Sequence, residues 1–173
     1  GFALSHASVV GLLVDSKQGL WVDTAHGLHR MLRWNGRQAA FESVSAKHRI
    51  AGGPYGANLL EDEKGRIWTH KFVYDPKHNS MYELNRADGI FFGTGWFRSY
   101  ARTRDGKFLY GGNQGLLIID PARFKPWAYA PPLVATELRI NGERQSLSDL
   151  ASKGIHLSSA QRGFSLEFSA LDF

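Results

Sequence analysis

The chain has no cysteine among its 173 residues. That excludes disulfides and thiolate metal sites, but it does not fix a compartment. No apolar run approaches the ~20 residues that a membrane-crossing helix needs, and no basic-then-apolar leader opens the chain. The formal charge is +5, with Lys and Arg scattered along the sequence. A nucleic-acid interface would need them clustered, so no nucleic-acid partner is expected. No G-x-S-x-G element and no nucleophile–base arrangement is present. The glycine-rich stretch Gly111-Gly112-Asn113-Gln114-Gly115 is followed by no helix, so it does not read as a phosphate cradle. His26 and His29 lie three apart; in a strand they would point to opposite faces, and both are read as surface residues. The turn aspartates are too sparse for a calcium loop. No metal and no cofactor are expected.

Aromatics and glycine are abundant: five Trp, six Tyr, eleven Phe and nineteen Gly. Both suit a turn-dense β protein. Three stretches repeat one pattern: Leu13 to Arg30, Leu60 to Pro76, and Ala101 to Pro121. Each has a short charged turn with glycine, an apolar-aromatic strand and a second strand. Trp21 and Trp68 are 47 residues apart, and Leu109 holds the equivalent place 41 residues later. A period of roughly 40 to 50 residues with short paired strands is the signature of a β-propeller blade.

In the first unit Val9 to Val14 reads as a strand, Asp15 to Gly19 as a turn, and Leu20 to Thr24 as the next strand. Gly27 opens a third, Asn35-Gly36 is a strong hairpin signal, and Gln38 to Val44 forms an outer strand. A Gly/Pro loop, Gly52 to Gly56, leads to the second unit, Ala57 to about Asn85. That unit departs from the pattern just after Trp68. The third begins near Ile90 and ends at Asp120-Pro121. The expected fold class is therefore all-β: about three four-stranded blades over residues 1–125, an incomplete propeller. Residues 126–173 have no blade pattern. Pro126, Trp127, Tyr129, Pro131 and Pro132 form an extended link. Leu133 to Ile140, Asn141-Gly142 with its return, Ile155-His156-Leu157 and Phe164 to Leu171 read as the strands of a partial Ig-like sandwich. Only Ser148 to Lys153 reads as a helical turn.

The three units resemble the repeats of the two-component regulator propeller family. The first carries Asp15, Gly19, Leu20, Trp21, Val22, Thr24, Gly27 and Leu28, with Asp23 where the family usually has glycine. The second keeps Asp62, Gly65, Ile67, Trp68 and Thr69. The third keeps Asp105, Gly106, Gly111, Gly112, Gly115 and Leu116. The C-terminal part is similar to the Ig-like three-Y domain that follows such propellers, through Pro131-Pro132, Leu138 to Gly142, Ile155 to Leu157, Gln161 and Phe164 to Phe173. Its second half, with the tyrosines that name it, lies outside this sequence. The resemblance implies a periplasmic sensor region of an inner-membrane receptor, either a histidine kinase or a diguanylate cyclase. It also implies a small-molecule or oligosaccharide ligand and a homodimer. The ends at Gly1 and Phe173 read as cuts within a longer protein.

Trp96, Arg98 and Tyr100 alternate along the third unit's opening strand, and arginine beside aromatics suits an anionic or sugar ligand. His70 and Lys71 stand where the second unit breaks its pattern, and such breaks often mark function. These five are the candidate ligand-binding residues; for all of them the competing explanation is architecture. Trp21, Trp68 and the aspartate turns are read as architecture. Two other functions compete with sensing. One is a protein-interaction scaffold without a small ligand. The other is a glycan-active enzyme, for which Tyr82, Glu83 and Asp88 are the available groups.

Overall fold

The structure is a computed structural model that describes residues 3–50, 53–126, 132–147, 154–155 and 157–170. It is all-β, built from small antiparallel sheets. The chain divides into two compact units, Gly1–Pro126 and Trp127–Phe173.

The first unit holds three sheets. The first is a meander of β1 (Val9–Val14), β2 (Leu20–Thr24), β3 (Gly27–Trp34) and β4 (Ala39–Ser43). The second is a meander of β5 (Leu60–Glu61), β6 (Ile67–Trp68), β7 (Phe72–Asp75) and β8 (Ser80–Glu83). The third has three strands among the described residues, not the four expected: β9 (Gly95–Arg102), β10 (Phe108–Gly112) and β11 (Gly115–Ile119). An unexpected four-residue helix, α1 (Val44–Lys47), follows β4. Ser43 caps it by accepting from the Ala46 amide.

The repeated turn is built by one carboxylate. Asp15 Oδ1 accepts the amides of Lys17 (2.9 Å) and Gly19 (2.6 Å), while Oδ2 accepts Trp21 Nε1 at 2.8 Å. Asp62 does the same. Its Oδ1 takes the amides of Lys64 and Arg66 at 2.9 Å, and its Oδ2 takes Trp68 Nε1 at 2.8 Å. An aspartate six residues before the tryptophan thus closes the hairpin and holds the indole in the core. An arginine lies over each indole, Arg30 at 5.4 Å and Arg66 at 5.3 Å from the ring centroid. Arg66 also binds Asp62 Oδ2 (2.6 Å) and donates to the Pro121 carbonyl (2.6 Å).

In the third turn the equivalent of the clamping aspartate is Thr103, not Asp105. Thr103 is bonded across the turn to Lys107, as Asp15 is to Gly19 and Asp62 to Arg66. With Leu109 in place of tryptophan, no indole needs an acceptor. Asp105 instead pairs with Thr103 Oγ1 and with Lys107 Nζ, in solvent. The turn also shows why aligning glycines misleads. The left-handed position is Gln18 (φ 63°), Gly65 (φ 75°) and Gly106 (φ 84°). Gly19 serves another need: a Cβ there would sit 2.6 Å from Asp15 Oδ2.

The second sheet is buried on both faces. Ile67, Phe72 and Tyr74 pack with Trp21, Leu28, Val44, Tyr55 and Leu59. On the other face Trp68 and Val73 pack with Leu84, Phe92, Phe108, Tyr110 and Leu117. Trp21 and Trp68 are fully buried, as the architectural reading expected, and neither can stack on a ligand. At the rims, adjacent sheets touch through equivalent positions. Ser16 donates its amide and hydroxyl to Glu61 at 2.7 Å each, and Glu63 pairs with Arg102 at 3.6 Å.

The second unit is one sheet, ordered β13 (Glu143–Gln145), β12 (Leu133–Ile140), β14 (Phe164–Ala170). No second layer of a sandwich is present among its described residues. Ile155 and Leu157 lie outside any strand. Trp127, Tyr129 and Pro131 of the proline-rich link, the Ser148–Lys153 turn, His156, and residues 171–173 lie outside the described residues, as does Gly52 of the earlier loop.

Replacing Asp62 with alanine leaves the Trp68 indole, two turn amides and the Arg66 guanidinium without their acceptor. We expect Asp62→Ala to cost about 2–4 kcal/mol in urea denaturation. Asp105→Ala, at an exposed position, should stay within about 0.5 kcal/mol.

Candidate functional site

The five candidate ligand residues do not form one cluster. Arg98 and Tyr100 line hollows together. Two shallow hollows of about 330 Å³ each share this pair. One is walled by Val9, Val10, Gly11, Leu12 and Ala57, the other by Ser99, Ala101, Leu109, Gly111 and Leu116. Neither contains a carboxylate, and Arg98 makes no ion pair among the described residues. Its guanidinium is the one charge in an apolar lining, which fits an anionic group flanked by apolar or stacking surface.

The expected alternation of Trp96, Arg98 and Tyr100 along one face does not hold. On β10, Tyr110 pairs with Tyr100 and Gly112 with Gly95, so Trp96 to Ser99 face the single residue Gly111. A Cβ on Gly111 would lie 2.2 Å from Ser99 Oγ, and glycine is what admits this wide bulge. Arg98 sits within it in the left-handed region (φ 56°). Trp96 is 59% exposed and lies outside the lining of both hollows.

His70 and Lys71 form the tip of the β6–β7 hairpin. The pattern break has a geometric cause. Thr24 and Thr69 both accept tip amides through Oγ1, but Thr24 is three residues past its tryptophan and Thr69 only one. The shorter strands carry His70 down into the core. There its ring meets Phe92 (5.5 Å) and Tyr110 (6.2 Å), with Gly95 against its face. His70 is buried and cannot contact a ligand in this state. Lys71 is exposed, and its Nζ lies 6.0 Å from the Tyr55 ring centroid. His29, read as a surface residue, is fully buried; the amide of Ser5 donates to its Nε2 at 3.1 Å and its Nδ1 meets the Gly27 carbonyl at 3.1 Å. The segment before β1 crosses the sheet there, which strand periodicity does not reveal. Tyr82 and Asp88 are bonded to each other at 2.7 Å, and Asp88 also caps the 3-10 turn Arg86–Asp88. They serve local structure.

Sequence reasoning missed the segment 54–58. Asp23 Oδ2 accepts the amides of Tyr55 (3.0 Å) and Ala57 (3.1 Å). On its other side Gly56 O accepts the Arg98 amide (2.8 Å), and Asn58 Nδ2 donates to Trp96 O (2.8 Å). The strap joins the first sheet to the third. It packs closely enough on β1 that a Cβ on Gly11 would lie 2.5 Å from the Ala57 Cα. The available signal was Asp23 itself, an acid where the resembled repeat has glycine.

Burial pushes the Asp23 carboxyl up to about 6, against the pull of the Ala57 and Tyr55 amides and of Lys71. Burial, helped by Lys71, pushes His70 down to about 4. Burial also raises the Tyr110 hydroxyl well above its ordinary value, and that hydroxyl has no hydrogen-bond partner among the described residues.

The sequence matches no known protein family and no curated protein. Two solved structures from B. thetaiotaomicron are similar to it. The extracellular domain of a hybrid two-component system matches 94% of this chain at 21% identity and a TM-score of 0.56. The extracellular domain of a one-component system matches 84% at 18% identity and a TM-score of 0.41. The chain spans about a quarter of each of those domains, 23% and 24% respectively.

The two shifted groups act in opposite senses. Asp23, raised in the fold, contributes stability at low pH that is lost as pH rises from 3.8 through about 6. His70, lowered in the fold, contributes stability above its ordinary 6.5 that is lost as pH falls towards about 4. Asp23→Asn should therefore steepen the loss of stability between pH 6.5 and 4, and His70→Gln should flatten it, in denaturant titrations at each pH. Tyr110→Phe removes an unpartnered buried hydroxyl and should raise stability by about 1 kcal/mol in the same assay.

Proposed function

We propose that the first unit consists of three consecutive blades of a β-propeller. In this reading the chain belongs to the extracytoplasmic sensing region of a membrane-anchored signal-transduction receptor. The likeness over 94% of the chain to an extracellular domain of a hybrid two-component system carries this reading. Two features support it. Each four-stranded sheet is a meander, and the sheets pack face against face through equivalent positions. Away from the hollows at Arg98 and Tyr100 the outward faces remain apolar: Val14, Leu32 and Trp34 on the first sheet, Ile118 on the third. Three blades do not close a propeller, so further blades cover these faces in the parent protein. A ligand favouring one arrangement of paired receptors would shift the output equilibrium, by binding and not by catalysis.

The ligand site in this reading is the hollow that Arg98 and Tyr100 form with Ala57 and the start of β1. Its lone cation suits a carboxylate or other anion, and Tyr100 offers a ring for stacking; a small acid or an acidic oligosaccharide combines the two. No described helix is long and apolar enough to cross a membrane.

A thermal-shift screen of neutral and acidic oligosaccharides and small organic acids tests the reading. At least one acidic compound should raise the melting temperature. Its affinity, measured by calorimetry, should fall about tenfold or more, some 1.4 kcal/mol, in Arg98→Ala. If no compound shifts the transition, the interaction-scaffold reading replaces this one.

A further inference from the structure

Arg98 occupies a backbone conformation that a side-chain-bearing residue rarely adopts, at φ 56° within a bulge. Local sequence does not explain it, since arginine has no preference for the left-handed region. Something outside β9 holds it, and the hydrogen bonds identify what. The Arg98 amide donates to Gly56 O at 2.8 Å, and the Trp96 carbonyl accepts Asn58 Nδ2 at 2.8 Å. Both sides of the bulge's crest are thus tied to residues 56–58. Those residues are themselves unusual. Gly56 (φ 70°) and Ala57 (φ 62°) are consecutive left-handed residues, and Ala57 takes that conformation at a cost. Their amides give the reason: Tyr55 and Ala57 both point at one oxygen, Asp23 Oδ2. A single acceptor that receives two amides two residues apart curls the strap, and the curl aims the intervening Gly56 carbonyl the other way, at Arg98.

We propose that Asp23 is a positioning residue for the Arg98 hollow, acting through the strap 55–58 to set the backbone of the bulge that carries Arg98. The chain of contacts is short and polar at each step: carboxylate, paired amides, Gly56 carbonyl, Arg98 amide. Asp23 is fully buried on β2 of the first sheet, and Arg98 lies on β9 of the third. The linkage therefore passes over the second sheet without using its strands. A ligand drawn to Arg98 pulls on the seam between the first two sheets, and a change at that seam moves the ligand's cation.

The carboxylate is also a group whose charge can change. The charged and titratable groups that act on it are Lys71, at the β6–β7 tip, and Tyr55, on the strap itself; Glu83 acts on Tyr55 in turn. Burial dominates over them and holds Asp23 at about 6. Protonation removes the charge that strengthens both amide bonds to Oδ2, so the curl slackens. The position of Arg98 then depends on pH through Asp23.

This inference rests on the Arg98 hollow being the ligand site. Its test uses no ligand, so its failure would leave that reading standing. In the full chain labelled with ¹³C and ¹⁵N, the Asp23 carboxyl carbon is titrated by NMR from pH 4 to 8. The amide shifts of Tyr55, Ala57 and Arg98 are followed in the same samples. The expected result is one shared midpoint near 6 for all four. An Arg98 amide that stays flat while Tyr55 and Ala57 move would overturn the proposal, because the strap would then end at Gly56. A second measurement uses Asp23→Asn at pH 7. Amide exchange at Arg98 should quicken by about tenfold or more while Tyr110 and Leu117 in the third sheet keep wild-type rates. Equal acceleration everywhere would reduce Asp23 to a general stabilising residue and would also overturn it.

Discussion

The carboxylate that closes a turn and grips an indole six residues later is the interaction on which the first unit depends. Asp15 with Trp21, and Asp62 with Trp68, each satisfy two turn amides and one indole N–H with a single side chain. A buried tryptophan supplies a large apolar area but carries a donor that must be met. Meeting it from the turn fixes the rotamer of the largest residue in each interface. It also fixes the hairpin on which that residue stands. Around Trp21 and Trp68 the neighbouring sheets then assemble their aromatic edges, with Tyr74 at 5.7 Å from the first and Phe108 at 5.8 Å from the second. The third turn, with Thr103 and Leu109, has neither the indole nor the carboxylate, so the two features come and go together.

Function in this reading follows from where the repeat is imperfect. The shortened β6–β7 hairpin withdraws a strand end, and His70 drops onto Gly95. The bulge of β9 and the strap from Pro54 to Asn58 occupy the neighbouring space. Regular sheets supply rigid walls, and the irregular segments between them supply a lone cation in an apolar hollow.

Much of this was legible in the sequence and some was not, for physical reasons. Strands β1 and β2 fall where alternation and the Asp–Gly turn put them, and Asn35-Gly36 makes the predicted hairpin. The burial of Trp21 and Trp68 followed from apolar neighbours. By contrast, Asp105 took the clamp's place in a one-dimensional alignment because it stands next to a glycine, and only the hydrogen bonds show that Thr103 holds that position. Arg98 was read as one of three alternating residues. The bulge that breaks the alternation is caused by a glycine on another strand and a loop some forty residues earlier. His70 drew attention as a departure from the pattern; its burial depends on two missing residues in each flanking strand, which leave no local trace. Asp23 was visible as a substitution of glycine by acid, and its partners became visible only once the strap had been placed.

The contacts at the sheet rims have a further meaning for how the unit comes together. The same pair of positions carries Ser16 against Glu61 at one junction and Glu63 against Arg102 at the next. Were a copy of the second sheet to follow itself, Glu63 would meet a second Glu61. Were the third to follow the first, Ser16 would meet Arg102 and lose its carboxylate. Tandem units of similar shape are prone to dock out of order. Here each rim carries a label that only the correct neighbour matches, so chain order is written a second time in the chemistry of the seams.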